Sequence, residues 1–267
     1  MQQDWRLIML AQFHRGTALL WAAGTGILAA TAIAIAAAAP AGAPADEDAQ
    51  IAKSLASMLR AGRTVVSRHQ DSINDANLGN KGFDSASMLA ETIKVYQSTA
   101  GVDPMSIDPN TRHGKLIRMQ MAAIGEVIDA HQETINRKGV GFKGFIPAIF
   151  GRLTNESFGR RAVGLAEMKV TAPQQFIRNA KAKADAWETS VIKEKLLTAS
   201  WPKDQPFAAV AETKGKTAHR TAVPEYYGAS CLSCHGSPQG EIDITGYAKE
   251  GGNEGDLGGV ISITLYK

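Results

Sequence analysis

A chain of 267 residues, 44% of them hydrophobic, is long enough to bury one well-formed core or at most two small ones. A formal net charge of +3 is too mild to point to a nucleic-acid partner. Two cysteines serve poorly for a structural zinc site, which wants about four nitrogen or sulfur ligands in two pairs.

Arg6, His14 and Arg15 precede an uncharged run from Gly16 to Ala39, which closes on Pro40-Ala41-Gly42-Ala43 and the acidic Asp46-Glu47-Asp48. That order of basic, apolar and small residues predicts a signal peptide over residues 1–43, cleaved near Ala43. The run is also long enough to span a bilayer, so a retained N-terminal membrane anchor is the alternative. Either way residues 49–267, behind an acidic linker at 44–48, are expected as one domain in the periplasm or anchored to a membrane and facing it.

From Ala49 to Asn74 the residues Ile51, Leu55, Met58, Val65 or Val66 and Ile73 recur at helical spacing, and His69 falls on the same seam. A second helix is expected from Ser85 to Thr99, stopped by Gly101. A third runs from about Thr111 to Asn136, with Ile117, Met121, Ile124 and Ile128 inward and His131 continuing the seam. His69-Gln70-Asp71-Ser72-Ile73-Asn74 is echoed by His131-Gln132-Glu133-Thr134-Ile135-Asn136, and each is followed by Lys-Gly-Phe, at Lys81 and at Lys143. The echo reads either as chance similarity of two helix ends or as a structural pseudo-repeat.

The stretch from Gly139 to Phe150 is too irregular for a helix before Pro147. A short strand is expected over Met168–Thr171, and Asp185 with Glu188 forms a capping box for a helix over Ala186–Leu197. Phe207–Glu212 and Thr217–Val223 flank the turn Thr213-Lys214-Gly215-Lys216 as a hairpin, and Val260–Leu265 alternate as a closing strand after the glycine-rich 251–259. Helices first and an antiparallel sheet last predict an α+β fold.

Between hairpin and last strand stand Cys231, Leu232, Ser233, Cys234 and His235. Cysteines three apart reach the two vinyl groups of one porphyrin as thioethers, and the adjacent imidazole supplies an axial nitrogen to iron. The spacing therefore points to one covalent haem c, with His235 as proximal ligand. Zinc, a redox-active dithiol and a structural disulfide are the rivals. The flanking Ser230 and Gly236-Ser237-Pro238 do not suggest the activating helix start of a dithiol, and a disulfide here would close a very small loop.

With Gly144-Phe145-Ile146-Pro147, Phe150, Arg178-Asn179, Trp187-Glu188, Cys231 to Gly236 and Gly255-Asp256-Leu257-Gly258-Gly259-Val260-Ile261-Ser262 in view, the chain resembles a family of bacterial monohaem c-type proteins. Members occur as small exported cytochromes and as sensing domains of receptors. The resemblance covers roughly residues 50–267. It implies a PAS-like antiparallel sheet flanked by the N-terminal helices, with the haem held in it. It also implies a departure, because in the family's structurally described member the second axial ligand is a cysteine on the first helix, near Val66 or Ser67 here, and no third cysteine exists. His69 is then the natural distal candidate and His131 the weaker one, with Met58, Met119, Met121 and Met168 better read as core and a vacant or water-bound distal side as the remaining alternative. Lys143, Arg152 and Arg178 are candidate partners for the haem propionates, and Phe145, Phe150 and Trp187, with Phe142, for the pocket lining.

Two functions from different classes follow. One is a one-electron carrier with a redox partner protein. The other is a sensor of redox state or of a diatomic gas, which would signal through a separate membrane partner. A peroxidase-like enzyme is a third reading that nothing besides His69 supports.

Overall fold

The structure, a computed structural model, describes residues 44–267. The expected signal peptide or anchor at 1–43 lies outside the described residues. Among the described residues no helix is long and apolar enough to cross a membrane.

Helix α1 spans Pro44–Arg68 and buries Ile51, Leu55, Met58, Leu59, Val65 and Val66 along one side. It starts earlier than the sequence predicts, and residues 44–48 are its first turn rather than an acidic linker. The cause is Asp48, which is buried and holds Arg112 at 2.8 Å as well as the Lys267 ammonium. A carboxylate buried with two cations belongs to the core, not to a solvated tether.

The chain then repeats itself. Helices α2 (Gln70–Asn74), α3 (Ser85–Ala100), α4 (Arg112–Ala130), α5 (Gln132–Asn136) and α6 (Pro147–Arg161) follow in order. The long helices expected over 49–74 and 111–136 are each broken at the histidine. His69 has φ −93° and ψ 3°, and His131 has φ −112° and ψ 10°. Asp75 and Arg137 leave the two short helices with matching angles, φ −66° and −61° and ψ 117° and 120°. The contacts match too, and they are exchanged between the halves. Gln70 Nε2 donates to Phe145 O at 2.9 Å, and Gln132 Nε2 donates to Phe83 O at 3.0 Å. Asn74 Oδ1 accepts from the Lys143 backbone N–H and Asn136 Oδ1 from that of Lys81. The echo is thus a structural pseudo-repeat, α1–α2–α3 against α4–α5–α6, each half satisfying the other's loop backbone.

The sheet comes last. Strands β1 (Ala166–Thr171), β2 (Phe207–Thr213), β3 (Lys216–Tyr226) and β4 (Leu257–Tyr266) form one antiparallel sheet in the order β1-β4-β3-β2. Ile261, Ile263 and Leu265 alternate toward α1, α4 and α6, where they join the main core. The opposite face carries Ala222, Leu257 and Val260. It is covered by α7 (Ala186–Val191), a π-helical turn over Ile192–Leu196, and Trp187, Trp201 and Phe207. Asp185 and Glu188 form the expected capping box, and both also pair with the buried Arg220 on β3. The α+β class is as the sequence predicts.

Candidate functional site

The pentapeptide sits beyond the open end of β3. A bulge at Glu225/Tyr226 turns the chain out of the sheet, and the last helix, α8 (Leu232–His235), has Cys231 at its N-cap. Both thiols are free and partly exposed. Gly236 ends the helix with its N–H on Leu232 O at 2.9 Å.

The glycine-rich segment 251–259 clasps this turn. Gly252 N–H donates to His235 O at 2.8 Å and Gly251 N–H to Gly236 O at 3.1 Å. Gly255 N–H donates to Tyr227 O, and Tyr227 N–H to Asp256 O. Tyr227 is the centre of the clasp. Its ring stacks on His235 with centroids 5.0 Å apart and planes at 20°, and Phe176 meets it edge-on at 5.4 Å. A Cβ at Gly252 would lie 2.7 Å from the ring, and one at Gly258 would overlap it. Those glycines are there because an aromatic ring occupies the space a side chain would need. The Tyr227 hydroxyl is buried without a hydrogen-bond partner, and burial with the nearby Glu250 carboxylate pushes its pKa up.

Two charged groups bracket the turn. On one side Glu250 Oε2 lies 3.0 Å from His235 Nδ1, so the ring is held by Nδ1 while Nε2 takes no protein partner among the described residues. Arg178 binds Glu250, Asp243 at 2.6 Å, and the Cys234 carbonyl at 2.6 Å. Burial alone would raise the Glu250 carboxyl, yet Arg178 and His235 hold it below the ordinary carboxylate range. On the other side Arg60 and Arg63, one turn apart on α1, both grip Glu225, and Arg63 lies within electrostatic reach of Cys231. Burial would raise Glu225 as well, but the two guanidinium groups keep it below its usual range.

The structure brings only part of the sequence-derived set to this place. Cys231, Cys234, His235 and Arg178 meet there. Arg178 anchors the turn from within, engaged by two carboxylates rather than held in reserve. Lys143 instead donates to the carbonyls of Val140 and Asp75 in the helix-repeat loops. Arg152 pairs with Glu156 along α6. Phe145 and Phe150 lie in the helical core, where Phe145 packs on His131. Trp187 lies on the far face of the sheet beneath the Arg220 guanidinium, 4.3 Å from its ring centroid. His69 stacks on Phe83 and bonds Glu91 at 3.0 Å, and His131 bonds Val127 O at 2.7 Å. The two histidines are equivalents in the pseudo-repeat, and neither bonds to the pentapeptide. Sequence reasoning passed over Arg60, Arg63, Glu225, Tyr227 and Glu250. The two arginines one turn apart on an otherwise apolar helix seam were the one local signal.

Among the described residues no cluster of three or more His, Cys, Asp or Glu is arranged to hold a metal ion by itself. The donor set at the turn is two thiols and one imidazole with a free nitrogen, which fits a porphyrin better than a bare ion. The orphaned Tyr227 hydroxyl and the surplus guanidinium at Arg60 and Arg63 fit a buried group carrying carboxylates. In the comparisons with known proteins, the profile of a family described as Tll0287-like (Tll0287) matches residues 43–265. No curated protein and no solved structure matches the chain.

Proposed function

The chain belongs to the Tll0287-like family, and from that premise we propose that it is an exported monohaem c-type cytochrome with a PAS-like domain. Cys231 and Cys234 hold the porphyrin as thioethers, and His235 Nε2 ligates the iron. The observation that carries this reading is the arrangement of one short turn: two free thiols beside an imidazole whose Nδ1 is already committed to Glu250. Bound there, the haem would supply one-electron exchange between ferric and ferrous iron.

The protein's own residues do the rest. Arg178 fixes the turn through the Cys234 carbonyl, and Tyr227 fixes the plane of the His235 ring. Arg60 and Arg63 set two cations against the single Glu225 carboxylate, which leaves one positive charge for a propionate. The working site lies in the periplasm, free or tethered to the membrane, and electrons pass to a separate redox partner.

The engagement of His69 and His131 at the helix junctions favours a second reading, in which the distal side is open and the domain senses a diatomic gas or the redox state. Replacing Cys231 and Cys234 by Ala should abolish haem stain after denaturing electrophoresis, and retained stain would refute covalent attachment. Optical and EPR spectra with and without carbon monoxide separate the two readings: low-spin iron that refuses the gas is a carrier, and iron that takes it is a sensor.

A further inference from the structure

In a haem protein the group that holds the unligated nitrogen of the axial histidine sets how much electron density the ring offers the iron. A neutral carbonyl orients the ring and does little more. Here the partner is a carboxylate, Glu250, reached across a separation of 15 residues at 3.0 Å. Glu250 is kept from turning away by Arg178, which donates from Nε to Oε1 and from Nη2 to Oε2, the latter at 3.0 Å. The same guanidinium holds the Cys234 carbonyl, so the turn that would carry the haem and the carboxylate behind its ligand share one fixed reference.

Whether Glu250 keeps its charge in effect is a matter of counting. Arg178 also pairs with Asp243, whose side chain is fully buried, at 2.6 Å. One guanidinium facing two carboxylates leaves one negative unit uncancelled beside the imidazole. Lys249 does not neutralise it, because its ammonium is turned to Glu241 at 3.2 Å.

We propose that Glu250 is a positioning residue that gives His235 imidazolate-like character and so favours ferric over ferrous iron. Arg178 acts as its clamp. The inference rests on the haem c reading above and adds the sign of the redox bias to it.

The test is spectroelectrochemical titration of the haem-loaded wild type, Glu250→Gln and Glu250→Asp, each checked for covalent haem by stain. Glu250→Gln keeps the shape and removes the charge. It should retain stain and shift the ferrous-to-ferric balance at fixed potential at least tenfold toward ferrous, a rise of about 59 mV for one electron. Glu250→Asp keeps the charge and should shift it less. A Glu250→Gln protein with covalent haem and a balance within twofold of wild type overturns the proposal and leaves the haem reading standing. If Glu250→Gln does not yield folded holoprotein, the wild type decides: the His235 Nδ1–H should be an exchange-protected proton by NMR, and exchange at the solvent rate overturns the proposal. A folded wild type without haem stain overturns both readings, so the stain tells the two failures apart.

Discussion

Asn74 Oδ1 accepts the backbone N–H of Lys143 at 3.1 Å, and the equivalent Asn136 Oδ1 accepts that of Lys81 at 2.9 Å, so each half of the helical repeat closes the other's loop. Each asparagine side chain satisfies a backbone donor on the opposite half. Asn74→Ala and Asn136→Ala should each cost about 1–2 kcal/mol. Urea unfolding of both single variants and the double one checks this. A cost at only one of the two positions would mean the exchange is not symmetric in energy.

The Arg60 and Arg63 grip on Glu225 predicts a pH dependence. Because the folded state holds this carboxyl below its ordinary value of 4.5, the pair's stabilisation is complete above about pH 4.5. It is lost as the pH falls through the lower folded value. Glu225→Gln should destabilise the protein at neutral pH by about 3 kcal/mol, since it leaves two partly buried guanidinium groups facing a neutral amide. The variant should also lose less stability than the wild type below pH 4.5. Denaturant midpoints measured from pH 7 to pH 3 give both numbers, and parallel curves would exclude the linkage.

His69→Ala and His131→Ala should leave the optical spectrum of the haem-loaded protein unchanged. Each removes instead a ring packed on a phenylalanine and one hydrogen bond, at a cost of roughly 1–2 kcal/mol. Conversion to a high-spin spectrum in either variant would restore that histidine as the distal ligand.

Gly258→Ala places a methyl group against the Tyr227 ring. The expected loss is about 1–3 kcal/mol, together with weaker haem attachment as the clasp on His235 loosens. Combining it with Tyr227→Leu should recover part of the loss. Thermal melts and haem stain of the single and double variants test the coupling, and strict additivity would show that the glycine answers to some other neighbour.

What the sequence made legible was local. The helix spacing, the Asp185 and Glu188 capping box, the Gly101 stop with φ 71°, the hairpin and the closing strand all lie within a few residues of their own cause. The break at His69 was not visible, because the apolar seam runs through it undisturbed while the Gln70 side chain just beyond it bonds the Phe145 carbonyl. Helix α6 was missed, its apolar residues thinned by Gly151, Arg152, Asn155 and Gly159. The pentapeptide was plain, but its support was not. Arg63 meets Glu225 across 162 residues, and Arg178 meets Glu250 across 72. No periodicity reports a contact of that separation.

The order of strands across the sheet bears on how the protein is made. Strand β4 follows every other element in the chain, yet it lies between β1 and β3 and supplies Ile261, Ile263 and Leu265 to the core. A polypeptide emerges from its N-terminus first, so the cysteines and His235 are delivered while the middle of the sheet is still missing. During that interval β1 has no strand partner and the glycine clasp on Tyr227 is unmade. Cys231 and Cys234 therefore precede both the glycine segment that clasps their turn and the strand that completes the sheet, and the turn is fixed only when those last residues arrive.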